Sequence, residues 1–213
     1  MKILSSVLDY LSGSAKIKEQ AEKALNSHRE NGKNLLTSMD KIFYNEQVLT
    51  ALNIILEKAV TCETEEELAR TCLDVAQEIT EAKFGYFGEL NKEGKFDTIA
   101  ISNLGWSECE VSDLKTITQN METSGMQFLS LHDGIARIFN DPASHPDSRG
   151  TPKGHPEVTC LLTVPLKYNG DVIGQIGLGN KEDGFNIADQ EAVEELACAI
   201  VKAFRRIRDW DKT

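Results

Sequence analysis

Two apolar runs separated by Asn169-Gly170 limit this chain more than any other feature. They are "TCLLTVPLK" and "VIGQIGLGN", within Thr159–Asn180. Asn-Gly is the dipeptide that a two-residue type I′ turn prefers, because both central residues need positive φ. The flanking runs are apolar at nearly every position, as expected of strands covered on both faces. The chain must therefore fold around a sheet that carries this hairpin and is covered on both faces.

The rest of the pattern supplies those layers. From Ile17 to Val60 apolar residues recur at three- and four-residue steps, so a helix is predicted, weakened at Asn31-Gly32 and bent near Tyr44-Asn45. Its first half is mostly polar, and a polar helix with a thin apolar seam usually finds a partner helix. Thr64 and Glu67 predict a capping box ahead of an amphipathic helix whose face is Leu68, Cys72, Val75, Ala76 and Ile79. "FGYFGEL", "NKEG" and "KFDTIAIS" form a second hairpin signal. A helix is predicted near "VSDLKTITQNM", then an apolar segment "GMQFLSL", then a turn at Asp133-Gly134 and a short strand. Asn186 or Asp189 caps a last helix reaching about Asp209. In it Val193, Ala197, Ile200, Phe204 and Ile207 keep the 4-3-4-3 spacing of a coiled-coil seam.

This order predicts an α+β domain with an antiparallel central sheet, terminal helices on one face, and loops and short helices on the other. Residues 1–45 read as a helical extension, 46–206 as the domain, and 207–213 as the end of the last helix. The net charge is −11, yet residues 1–60 carry 8 Lys/Arg against 7 Asp/Glu, so the acidity lies in the domain. An acidic domain argues against nucleic acid and anionic membrane as partners. Five dispersed cysteines without a C-x-x-C pattern, and no long apolar run, fit reduced thiols in the cytoplasm.

Four of the five prolines and two of the four histidines fall in one stretch, "NDPASHPDSRGTPKGHPE", Asn140–Glu157. Proline excludes helix and central strand here, and a loop this long is either functional or disordered. Its prolines lower the entropic cost of one fixed shape, so the loop is expected to cross the open sheet face and wall a pocket. His145, Arg149, Lys153 and His155 give it a cationic lining suited to a polar or anionic small molecule. The competing role for these side chains is to bond the loop's own backbone. On the first strand, alternation sends Tyr86 and Phe87 to opposite faces, so one of them looks into the pocket.

Asn140-Asp141 ending a strand, Gly154-His155-Pro156, Val164-Pro165-Leu166, Ile173-Gly174, Gly177-Leu178 and Asn180 together resemble a GAF domain. The subtype is the one found in prokaryotic sensor histidine kinases and related signalling proteins. The resemblance covers about residues 46–206. It implies a six-stranded antiparallel sheet, a small-molecule pocket under the covering loops, and a homodimer whose N- and C-terminal helices signal to an output domain or kinase. The candidate ligand-binding residues are Tyr86, Phe87, Asn140, Asp141, His145, Arg149, His155 and Cys160. No histidine-kinase box or nucleotide-binding glycine motif is present, so the chain reads as a non-enzymatic input module, either a fragment or the partner of an output protein.

Other chemistries are weaker. Some GAF domains in sensor kinases carry haem, for which His132, His145 or Cys160 are the candidate ligands; a C-x-x-C-H attachment site is lacking. No cysteine precedes a histidine, which excludes a bilin of the phytochrome type. The spacing of His145 and His155 matches no usual metal site. GAF-type methionine-sulfoxide reductases use cysteines near Cys160, but their cysteine-serine-rich run is absent. A ligand-free dimerisation scaffold is the remaining alternative.

Overall fold

The computed structural model describes residues 2–102, 118–150, 155 and 157–210. The chain divides into two compact units, Met1–Glu46 and Gln47–Thr213. Helix α1 is Lys2–Thr61. In the first unit it runs unbroken through Asn31-Gly32 and Tyr44-Asn45, where weakening and a bend were expected. One glycine costs a helix only about 1 kcal/mol relative to alanine, too little to stop it. Leu25, Leu35, Leu36, Met39, Ile42 and Phe43 of this unit are exposed.

In the second unit, five strands form one antiparallel sheet in the order β2-β1-β5-β4-β3. They are β1 Phe84–Leu90, β2 Phe96–Ile101, β3 Arg137–Phe139, β4 Leu161–Tyr168 and β5 Asp171–Gly179. The sheet has five described strands where six were expected. Among the described residues next to β2, an isolated bridge from Phe96 to Met121 and a bond from the Thr98 amide to the Thr118 carbonyl extend the ladder. "GMQFLSL" becomes a 3₁₀ turn, η1 Met126–Phe128, and a short helix, α3 Leu129–Asp133. The helix expected near "VSDLKTITQNM" lies mostly outside the described residues. At the β4–β5 turn Asn169 and Gly170 have φ of 51° and 94°, both positive as a type I′ turn demands.

Helix α2 (Glu65–Thr80) lies against β1 and β2, and α4 (Ile187–Trp210) against β4 and α2. With Ala51, Ile55 and Ala59 they form the main core, which takes in Phe87, Leu162, Val164, Ile176 and Leu178 from the sheet. The 4-3-4-3 seam of α4 is wholly buried in this core, from Val193 to Ile207. A pattern legible as a coiled-coil seam thus packs on the domain's own sheet, because a helix covering a sheet needs the same apolar stripe as one covering a helix.

The caps differ in completeness. Thr64 Oγ1 accepts from the Glu67 amide at 3.2 Å, but the Glu67 carboxylate turns to the Glu63 amide at 3.3 Å and to Lys58 Nζ. Only one arm of the expected box forms, because the lysine holds the other. At α4 both candidates act together. Asn186 Oδ1 accepts from the Ala188 amide at 2.7 Å, and Asp189 Oδ2 accepts from the Asn186 amide at 2.9 Å.

Candidate functional site

Strand register fixes what each face of the sheet presents. Tyr86 pairs with Gly177, Gly177 with Thr163, and Thr163 with Arg137, so these four form one row across the sheet. Phe84, Gly179, Leu161 and Phe139 form the next row on the same side. This is the face away from the helices. The glycines leave room for aromatic rings: an added Cβ would stand 2.3 Å from the Tyr86 ring at Gly177 and 2.3 Å from the Phe84 ring at Gly179. β1 therefore lays two aromatic rings flat over β5.

A polar network covers the middle of this face. Gln175 Nε2 donates to Tyr86 Oη at 2.7 Å and to the Gln127 carbonyl at 3.0 Å, while Gln175 Oε1 accepts from Ser130 Oγ at 2.8 Å. Gln175 and Ser130 are fully buried. Burial pushes the Tyr86 hydroxyl well above its ordinary pKa, so it stays protonated. Beside the network, Thr163 is fully buried and its Oγ1 has no partner; Arg137 Nε is buried and unpartnered too. The Arg137 charge is met by Asp133 through Nη2.

The described part of the proline loop lies on this same side. η2 (Pro142–Ser144) begins at Asp141, whose Oδ1 accepts from the Ser144 amide at 3.4 Å. The Met126 amide donates to the Asp147 carbonyl at 3.3 Å, tying the loop to η1. His145 sets its ring edge-on to Phe139, centroids 5.1 Å apart, and its Nδ1 accepts from the Asp147 amide at 3.1 Å. An open cleft of about 320 Å³ lies between loop and helix, lined by Gly125, Leu129, His132 and Pro146 to Arg149.

The expected site residues separate into two groups. Tyr86 reaches the loop-covered face, and Arg149 lines the cleft. Phe87 does not: it points to the helices and stacks on Phe204 at 4.9 Å. Cys160, one residue out of step with Leu161, is 2% exposed in the helix-side core, and its thiol donates to the Lys181 carbonyl at 3.4 Å. Strand parity sets both directions. Asn140 holds a backbone, accepting from the Phe185 amide and donating to its carbonyl, each at 2.9 Å. Asp141 and His145 are occupied with the loop's own amides. His155 is half-buried, between neighbours that lie outside the described residues. His132, considered for haem, bonds the Thr123 carbonyl through Nε2 at 2.6 Å. Among the described residues no three His, Cys, Asp or Glu side chains are grouped as a metal site.

Sequence reasoning passed over Arg137, Thr163, Gln175 and Ser130. A signal existed: Thr163 and Gln175 are lone polar side chains inside otherwise apolar strands, and a buried strand keeps such residues for a reason.

Five antiparallel strands thus lie between a helical layer and a layer of loops and short helices. The GAF-domain family model matches residues 62–205, and the chain belongs to that family. A sensor from Methanosarcina acetivorans, the methyl sulfide methyltransferase-associated sensor, is 25% identical over 125 residues; the match covers 58% of this chain and 12% of that protein. The chain thus spans about an eighth of that relative's length. The fold matches the GAF domain of a phosphoenolpyruvate-protein phosphotransferase from Coxiella burnetii at a TM-score of 0.66 and 14% identity, covering 79% of this chain and 98% of that one. It also matches free methionine-R-sulfoxide reductase from Neisseria meningitidis, at a TM-score of 0.58 and 14% identity, over 78% and 91% of the two chains. Among the described residues no helix is long and apolar enough to cross a membrane.

Proposed function

We propose that this GAF domain is a cytoplasmic sensory input module that binds a small molecule on the loop-covered face of its sheet. Acting as a homodimer, it passes occupancy through its terminal helices to an output such as a histidine kinase. The observation that carries this reading is the double duty of β1. Tyr86 on one side joins the polar network under the loops. On the other side Phe87 stacks on Phe204, and Glu89 accepts from Arg208 Nη2 at 2.8 Å. Arg208 is also held by Glu65 through Nε and Nη2, both at 2.8 Å. A ligand that moves Tyr86 moves the strand that grips the end of α4. For this to signal, the ligand must bind the two arrangements with different affinity.

The dimer is supported by the exposed apolar residues of α1: Leu35, Met39 and Ile42 in the first unit, and Leu49, Leu56 and Val60 in the second. Exposed residues of this size at helical spacing favour a second helix as cover. A ligand-free scaffold is the second reading, favoured by the fully buried Gln175–Ser130 pair, which fills part of the face by itself. The reductase alternative required an accessible Cys160 nucleophile, and that thiol is buried on the far side of the sheet.

Native mass spectrometry of protein purified from its own source tests the proposal. Two chains carrying a retained small molecule are expected. A bare dimer supports the scaffold instead, and a bare monomer removes both.

A further inference from the structure

Thr163 and Arg137 stand side by side in the row that Tyr86 begins, on adjacent antiparallel strands. A fully buried hydroxyl without a partner is costly, and native folds supply such groups with one. The geometry points to a recognition subsite in which Thr163 Oγ1 and Arg137 Nε together receive a carbonyl-type oxygen, of an amide or a carboxylate, from a small ligand.

Three features define that ligand. The guanidinium charge is already answered by Asp133, so the subsite offers hydrogen-bond donors in place of a strong positive field; this suits a carbonyl or single carboxylate oxygen better than a phosphate. The adjoining surface is apolar, a cluster of Met126, Phe139 and Leu161 with Leu129 packed on it. Leu129 also lines the open cleft of about 320 Å³, at the small end of ligand pockets; Thr163 and Arg137 do not line it, so a ligand must reach inward from it past Leu129. The other side is closed by Tyr86 and Gln175, whose hydrogen bonds are spent on each other and on Gln127. They shape the subsite without competing for the ligand's oxygen.

The inference rests on the small-molecule reading above, and benzamide and benzoate are the probes, with phenyl phosphate as comparison. Binding is followed by thermal shift and by methyl NMR of the Thr163 region, in wild type, Thr163→Val and Arg137→Lys. Valine keeps the shape of threonine and removes the orphaned hydroxyl. The free Thr163→Val protein is therefore expected to melt at the same or a higher temperature, with affinity for the better probe down at least about tenfold. Arg137→Lys keeps the charge, loses Nε, and weakens the same probe. Preference for benzamide over benzoate identifies a neutral ligand, and the reverse a carboxylate.

Equal probe affinity in wild type and both variants overturns the subsite, as does tighter binding of phenyl phosphate or no binding of either carbonyl probe. A lowered melting temperature in free Thr163→Val also overturns it, since the hydroxyl would then already have a partner, such as a trapped water. Probe binding that the variants leave unweakened removes this subsite but not small-molecule sensing. A bare dimer or monomer in native mass spectrometry removes the broader reading.

Discussion

Gly177→Ala probes the loop-covered face with the smallest possible change. Gly177 has ordinary strand φ, so alanine brings no backbone strain, and any cost must come from what its methyl meets. An added Cβ would lie 2.3 Å from Cε1 and Cζ of Tyr86 and 2.7 Å from its hydroxyl oxygen. The ring must lift. Overpacking of this kind costs about 1–3 kcal/mol, and disturbing the Gln175–Tyr86 hydrogen bond adds about 1 kcal/mol. A loss of about 3 kcal/mol is expected by urea denaturation, or a fall of about 6–12 °C in melting temperature for a unit of this size. In a Tyr86→Leu background the same methyl finds no ring and should cost less than about 1 kcal/mol, leaving a coupling of about 2 kcal/mol in the double-mutant cycle. A Gly177→Ala cost below about 0.5 kcal/mol, or equal costs in both backgrounds, would refute the placement of Tyr86 over Gly177.

Other outcomes follow from local contacts. Asn180, at φ 60°, accepts from the Thr159 amide and donates to the Glu157 carbonyl, both at 2.8 Å; Asn180→Ala should cost about 3 kcal/mol and Asn180→Gly about 2 in denaturant titration, because glycine restores the backbone but not the bonds. In thiol labelling, exposed Cys198 should react long before buried Cys160, and also before Cys72, where burial raises the thiol pKa to about 12; Cys160 labelling as fast as Cys198 would revive a thiol-based activity. The Lys58 hydrogen bond holds the Glu67 carboxyl below its ordinary pKa. Its contribution is thus fully present above the ordinary carboxylate range and lost as pH falls below that range through the lowered pKa, so Glu67→Gln should flatten the acid limb of a stability–pH profile.

Some of this was written plainly in local chemistry. Asn169-Gly170 admits one tight turn, and both residues take the positive φ it requires. The proline run excludes α-helix and central strand, allowing only the short 3₁₀ turn η2, and its described part folds back onto η1. Directions were harder. Phe87 and Cys160 read as site residues from sequence, yet a one-residue phase along β1 and ahead of β4 sends each to the helices, and composition cannot reveal which phase a doubly covered strand adopts. The α4 seam was ambiguous for a related reason: a 4-3-4-3 stripe serves a sheet as well as a helix. Asn140, Asp141 and His145 looked like ligand contacts because polar side chains in a stiff loop suit either role; their backbone partners appear only when the loop is folded. Arg137 and Thr163 become neighbours only through the pairing of β3 with β4, across a segment that no local spacing spans.

The coupling of the two sheet faces through β1 is tested most directly by hydrogen–deuterium exchange in Gln175→Leu. Gln175 touches Tyr86 and the loop layer and makes no hydrogen bond to α4. If β1 transmits what happens under the loops, amide exchange should rise both in Met126–Asp133 and in the last turns of α4 around Phe204–Arg208. Faster exchange confined to Met126–Asp133, with the end of α4 as protected as in wild type, would contradict the account.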